Sequence, residues 1–134
     1  MSEPATRTWH DYDYAVVRVV PRVHLCTFLN IGVVIHARTA GYLASRFHLD
    51  LTRLTFLCRD VDVDLLQDYV AAYERVCSGG RDAGPIGVMP PSERFHWLTA
   101  PRSTVLQTSD LHAGRAHDLS TTLDRLLSEY VVHG

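Results

Sequence analysis

The sequence predicts an α+β fold: an antiparallel sheet of about four strands, with two main helices packed on one face and a short helix beside them. Three observations predict it. Runs of alternating, β-branched and aromatic character fill residues 11–48, helical spacings dominate after residue 60, and one more strand-like run at 103–109 falls between helices. Strands first and helices later, without a repeating β-α-β alternation, favour antiparallel over parallel pairing.

The first strand is "DYDYAVVRVVPR" (11–22), rich in Tyr and Val and stopped by Pro21. Its even positions carry Tyr12, Tyr14, Val16, Arg18 and Val20, its odd ones Ala15, Val17 and Val19, so both faces are apolar and the strand is expected to be central. The second, "HLCTFLNIGVVIHA" (24–37), places Leu25, Thr27, Leu29, Ile31, Val33 and Ile35 on one face as a core stripe. Its other face mixes Cys26, Phe28, Asn30, Gly32, Val34 and His36, and a glycine inside a strand often marks a bulge. "RTAG" (38–41) reads as the turn into a third strand, 42–48.

A short helix is expected at 50–57. The clearest helix follows, with Leu65, Leu66, Tyr69, Val70, Tyr73, Val76 and Cys77 at helical spacing, Asp64 and Gln67 as a capping box and Gly79 after the last turn. Residues 78–92 hold four of the eight glycines and three of the six prolines and read as a mobile loop. "PSERFHWL" (91–98) fits a short helix with Phe95, Trp97 and Leu98 buried, ended by Pro101. Residues 118–132 give the final helix, with Leu119, Leu123, Leu126, Leu127, Tyr130 and Val131 as its apolar stripe.

At 134 residues and 46% apolar composition the chain suits a single α+β domain over 11–134 behind a flexible tail at 1–10. The tail has no apolar core of a signal peptide, and no apolar run approaches the roughly 20 residues that span a bilayer, so a soluble, cytoplasmic protein is expected. Three cysteines without a CxxC pair argue against a disulfide framework and a zinc ribbon. All thirteen basic residues are Arg, which excludes Schiff-base lysine chemistry and the P-loop lysine. A net charge of −2 disfavours general nucleic-acid binding.

Each chemical candidate has a plainer competitor. Asp60, Asp62, Asp64 and Asp68 lack the glycine and closing glutamate of a calcium loop and suit a helix N-terminus instead. His24 and Cys26 share a strand face with His36, but 12 residues of unbroken strand, about 40 Å, separate the histidines, so no metal or other cofactor is expected. Cys26 beside His24, and Ser103 with His96 or His112, lack a nucleophile elbow, so no catalytic residue is assigned. Tyr12, Tyr14, Phe28, Phe95 and Trp97 could stack bases, with little basic interleaving. Arg18 and Asn30 are polar residues on apolar strands. Together with Arg94, Arg102 and Ser103 of "RFHWLTAPRSTVLQTS" (94–109) they form the candidate anion- or partner-binding set, because a buried Arg must be paired.

"YDYAVVRVVPR", "FLNIGVVI" and "ERFHWLTAPRSTVLQTSDLHAG", the last following a Gly/Pro-rich loop, resemble the domain of unknown function 3037 family over about residues 12–132. Tyr14, Arg18, Pro21, Asn30, Gly32, Val33, Arg94, Phe95, Leu98, Pro101, Arg102, Ser103 and Gly114 carry the resemblance. The family brings no established activity. Its members are often encoded beside a HipA-like kinase, so the resemblance implies a small accessory or partner protein. The chain departs from the family pattern at "HLCT" (24–27), where a charged Glu/Arg-rich tetrad is expected, and this weakens an enzymatic reading.

The sequence therefore points to a small non-catalytic binding or accessory protein. Its expected partner is a protein such as a HipA-like kinase, with self-association open. The alternative is a small enzyme or sensor holding a phosphate- or carboxylate-bearing ligand in an Arg/Asn pocket. A single-stranded nucleic-acid binder comes third.

Overall fold

The computed structural model describes residues 8–20, 28–57, 61–101 and 105–134. Five strands form one antiparallel sheet: β1 (His10–Val19), β2 (Leu29–Ala37), β3 (Tyr42–Phe47), β4 (Leu106–Thr108) and β5 (His112–Ala116). The order is β3-β2-β1-β4, and β5 also pairs with β1. β4 and β5 lie end to end along β1, opposite Val17–Val19 and His10–Tyr14 respectively. They act as one edge strand broken at Ser109, whose N–H donates to Val16 O (2.9 Å) while its Oγ accepts from Val16 N (2.9 Å). β1 is central, as its two apolar faces require. β5 was not expected from the sequence, because "HAGRA" is exposed and lacks apolar alternation.

The helices are α1 (Leu51–Leu57), α2 (Val63–Ser78), α3 (Pro91–Thr99) and α4 (Leu119–Leu127), the last running into a π-helical turn, Ser128–Val132. The α+β class and the antiparallel sheet match the expectation, but the two main helices lie on opposite faces, not on one. Tyr12, Tyr14, Val33, Ile35 and Ala37 pack with Leu119, Leu123, Leu126 and Val131 of the C-terminal segment. Ala15, Val17 and Val34 pack with Tyr73, Val76 and Cys77 of α2 and with Phe95 and Leu98 of α3. The cause is already in β1: a strand apolar on both faces needs cover on both.

A second difference concerns β2. Val17 pairs with Gly32 but Arg18 with Asn30, leaving Ile31 as the extra residue of a β-bulge. The bulge splits the expected stripe. Leu29 and Ile31 join Val19, Leu54, Leu66 and Val70 in a third apolar cluster, while Val33 and Ile35 face α4. Gly32 belongs there because a Cβ would sit 2.8 Å from Arg46 O and closer still to the Phe47 ring. Gly114 likewise leaves room for the Tyr12 ring on the neighbouring strand.

Helix ends follow local chemistry. Asp62, not Asp64, caps α2, its carboxylate accepting from Leu65 N (3.1 Å), and Asp118 caps α4 through Thr121 N (3.0 Å). Gly79 ends α2 with φ 79°. Residues 78–92, expected as a mobile loop, hold two 3-10 turns, Arg81–Ala83 and Pro85–Val88, tied by Gly80 N–H to Gly87 O (2.7 Å). Thr8 and Trp9, assigned to the tail, pack on His117: Thr8 O lies 3.1 Å from Nδ1 and the Trp9 ring 3.7 Å from the imidazole. No helix among the described residues is long and apolar enough to cross a membrane.

Candidate functional site

Of the five candidate residues, the structure brings Arg18 and Asn30 together. The bulge turns Asn30 to the α4 side, which Arg18 shares with Tyr12 and Tyr14, and there Arg18 Nε donates to Asn30 Oδ1 (3.3 Å) and the guanidinium lies 4.0 Å above the Phe28 ring. Asn30 Nδ2 in turn donates to Tyr130 O (3.1 Å), which fastens the π-helical turn to the sheet. No carboxylate pairs with Arg18 among the described residues. The hollow beside Asn30, lined also by His48, Asp50 and Arg53, measures about 20 Å³, enough for one water.

Arg94 stands apart from that pair, because α3 lies on the other side of the sheet. It is 9% exposed, and its guanidinium donates to Val76 O (2.7 Å), Cys77 O (2.7 Å) and Met89 O (2.9 Å). The cation thus caps the last carbonyls of α2, where the helix dipole is negative, and fixes the chain entering α3. Gly79 makes room for it, since a Cβ there would meet Arg94 Cζ at 3.0 Å. Arg102 and Ser103 lie outside the described residues, although Ala100 and Val105 on either side of that segment line a common cleft.

The remaining candidates are scattered. His24, Cys26 and Asp60 fall outside the described residues, and no group of three metal-ligating side chains occurs among the others. Burial pushes the Cys77 thiol up to about 11, so it stays protonated and unreactive. His36 stacks on Phe95 (4.9 Å) and meets Ser92 Oγ at Nε2 (3.3 Å); desolvation holds it below the ordinary histidine value despite Asp13 across the strand. The Ser92–His36 contact was not anticipated, as nothing in the sequence joins positions on β2 and α3. The five aromatic candidates share no exposed face: Tyr12, Tyr14 and Phe95 are buried, Phe28 lies under Arg18, and Trp97 is on α3.

What the sequence missed is a cleft of about 250 Å³ between α2, α3 and β4. Tyr69, Ala72, Tyr73, Val76, Trp97 and Leu98 supply most of its apolar wall, and Leu106, Gln107 and Thr108 its strand side. Trp97 (40% exposed) and Tyr69 (43% exposed), expected in the core, stand at its mouth. A signal was present: the apolar arc from Leu65 through Cys77 is wider than one sheet-facing stripe needs.

No curated protein and no solved structure gives a match to this chain. The family model described as "Protein of unknown function (DUF3037)" matches residues 14–131, nearly the whole length, in accord with the resemblance carried by Gly32, Arg94 and Gly114. The chain therefore belongs to the DUF3037 family.

Proposed function

We propose that the protein is a non-catalytic binding subunit that receives a partner protein at the cleft between α2, α3 and β4. One observation carries this reading: an apolar cleft whose mouth holds two large, partly exposed aromatic rings, Tyr69 and Trp97. Tyr and Trp are the side chains most often responsible for interface affinity. At about 250 Å³ the cleft is smaller than the roughly 300–1,000 Å³ of small-molecule sites, and it suits inserted side chains better than a cofactor. The kinase encoded beside family members is the first partner to try.

The test is capture of a purified HipA-like kinase by the full chain, compared with Tyr69→Ala and Trp97→Ala. Each substitution should weaken capture about thirtyfold, the loss expected of a hot-spot residue. A kinase that fails to bind, or that binds both variants as tightly as wild type, sinks the proposal.

A second reading rests on Arg18, a half-buried cation with no carboxylate among the described residues. It would take a phosphate or carboxylate with Asn30 as a flanking donor. Inorganic phosphate should then raise Tm in wild type and not in Arg18→Ala. An unchanged wild-type Tm rejects it.

A further inference from the structure

We infer that the segment received by the cleft is an amphipathic helix carrying a basic flank. The inference rests on the binding-subunit reading and adds the chemistry of the partner. One wall of the cleft is itself helical: Tyr69, Ala72, Tyr73 and Val76 follow one another along α2, Tyr69 at the exposed mouth and Tyr73 and Val76 buried at the base. Leu65 (46% exposed) continues the stripe beyond the cleft towards the α2 N-terminus. From Leu65 to Val76 the stripe is about 16 Å long, three turns at about 1.5 Å per residue. Ridges of a second helix fit such a surface, with anchors at i, i+4 and i+7 or i+8. An added strand fits less well, because the last turn of α3 already lies beside β4, Thr108 Oγ1 donating to Thr99 O (3.3 Å).

Charge fixes the rest. Asp62, Asp64 and Asp68 are exposed around the Leu65 end of the stripe, and neither Asp64 nor Asp68 has an ion pair among the described residues. Favourable placement against the helix dipole accounts for Asp62 and Asp64 but fades after the first turn, so it leaves Asp68 unexplained. The first cation on α2, Arg75, comes two turns beyond Asp68. A second copy with its α2 packed parallel across a twofold axis would bring aspartates against aspartates, and packed antiparallel it would set them against the single Arg75 of the other α2. A different partner with Arg or Lys at the matching end meets no such repulsion.

The experiment selects displayed random 16-residue peptides on the immobilised full chain, with counter-selection on the Tyr69→Glu/Trp97→Ala double variant. Binding of recovered peptides is then measured by Trp97 fluorescence in a Trp9→Phe background. The expected peptides carry apolar residues at helical spacing and net positive charge, and gain helicity on binding. Asp64→Asn/Asp68→Asn should weaken them about tenfold at low salt, a difference that closes at high salt. Peptides rich in proline, apolar at every second position or acidic would overturn the inference while leaving the cleft as a binding site. So would affinity unaffected by the aspartate changes. Failure to recover any peptide also overturns it, and kinase capture then decides separately whether the binding-subunit reading survives. A wild-type dimer that Tyr69→Glu converts to monomer would make a second copy the occupant and reject the heterologous helix.

Discussion

Replacing Arg94 with methionine separates a structural arginine from a recognition arginine. The side chain keeps most of its apolar stem and loses three donated hydrogen bonds, to Val76 O, Cys77 O and Met89 O. Burying the guanidinium has its own desolvation cost, so the three bonds do not simply add. What remains after substitution are carbonyls at the end of α2 whose donor has gone, each worth about 1–3 kcal/mol when left unsatisfied. With two such carbonyls, the loss is about 3 kcal/mol. An unfolding entropy of about 2.1 cal/mol/K per residue over 134 residues gives about 0.28 kcal/mol/K, so Tm should fall by about 10 °C. Arg94→Lys should recover less than half, because a single ammonium cannot reach both α2 and Met89. Urea titration with both variants, followed by circular dichroism, is the assay. A loss under about 1 kcal/mol in Arg94→Met, or full recovery in Arg94→Lys, would refute the capping role and return the residue to the surface-recognition set.

Two further substitutions probe how the sheet meets the helices. Gly32→Ala forces a Cβ against Arg46 O and the Phe47 ring, and the overpacking should cost about 1–3 kcal/mol; equal stability would show that the bulge relaxes freely. His36 is held neutral by burial, so its folded value lies below the roughly 6.5 of the unfolded chain. The unfolded state therefore takes up the proton first. Stability is complete above about pH 6.5 and declines as pH falls towards the folded value, by at most about 1.4 kcal/mol per unit. His36→Gln should flatten this part of the profile, measured as Tm between pH 7 and 5; an unchanged slope assigns the acid sensitivity to other groups.

The elements were legible where periodicity was long and continuous, as in β1, β3, α2 and the C-terminal helix. They were not legible where a tertiary partner decides the outcome. Nothing local distinguishes "HAGRA" as a strand, because β5 is defined by pairing with His10–Tyr14 and not by an apolar face. Placement of the helices was legible in part: the two-sided apolar pattern of β1 required cover on both faces, yet the order of strands and helices alone suggested one. The bulge was announced by Gly32, but its consequence, two clusters in place of a single stripe, depends on the register with Arg18. At the candidate site, Arg18 and Asn30 lie together because two polar residues on apolar strands must find partners, while Arg102, expected to converge with them, lies outside the described residues. Arg94 was misleading in composition alone: "RFHWL" gives no hint that its arginine points inwards at a helix end two turns of loop away.

The distribution of arginine narrows what kind of recognition this fold can perform. With no lysine, every side-chain cation apart from histidine is a guanidinium, which suits fixed, planar hydrogen bonding. Arg94 is committed to backbone carbonyls, Arg46 to Asp124 (3.1 Å), Arg125 to Glu129 (2.9 Å), and Arg18 to Asn30 and the Phe28 ring. The described arginines that are at all buried thus serve the fold, and Arg38, Arg53, Arg75 and Arg81 are exposed at separate points on different elements. Among the described residues no set of arginines converges to hold a small anionic ligand. The exposed features beside the cleft are of another kind: the partly exposed Tyr69 and Trp97 rings at an apolar mouth, and Asp64 and Asp68, which have no ion pair among the described residues, beside an exposed leucine. Apolar anchors beside one sign of charge support the proposed protein partner, which would bring the opposite sign on a large surface, over the small anion of the second reading.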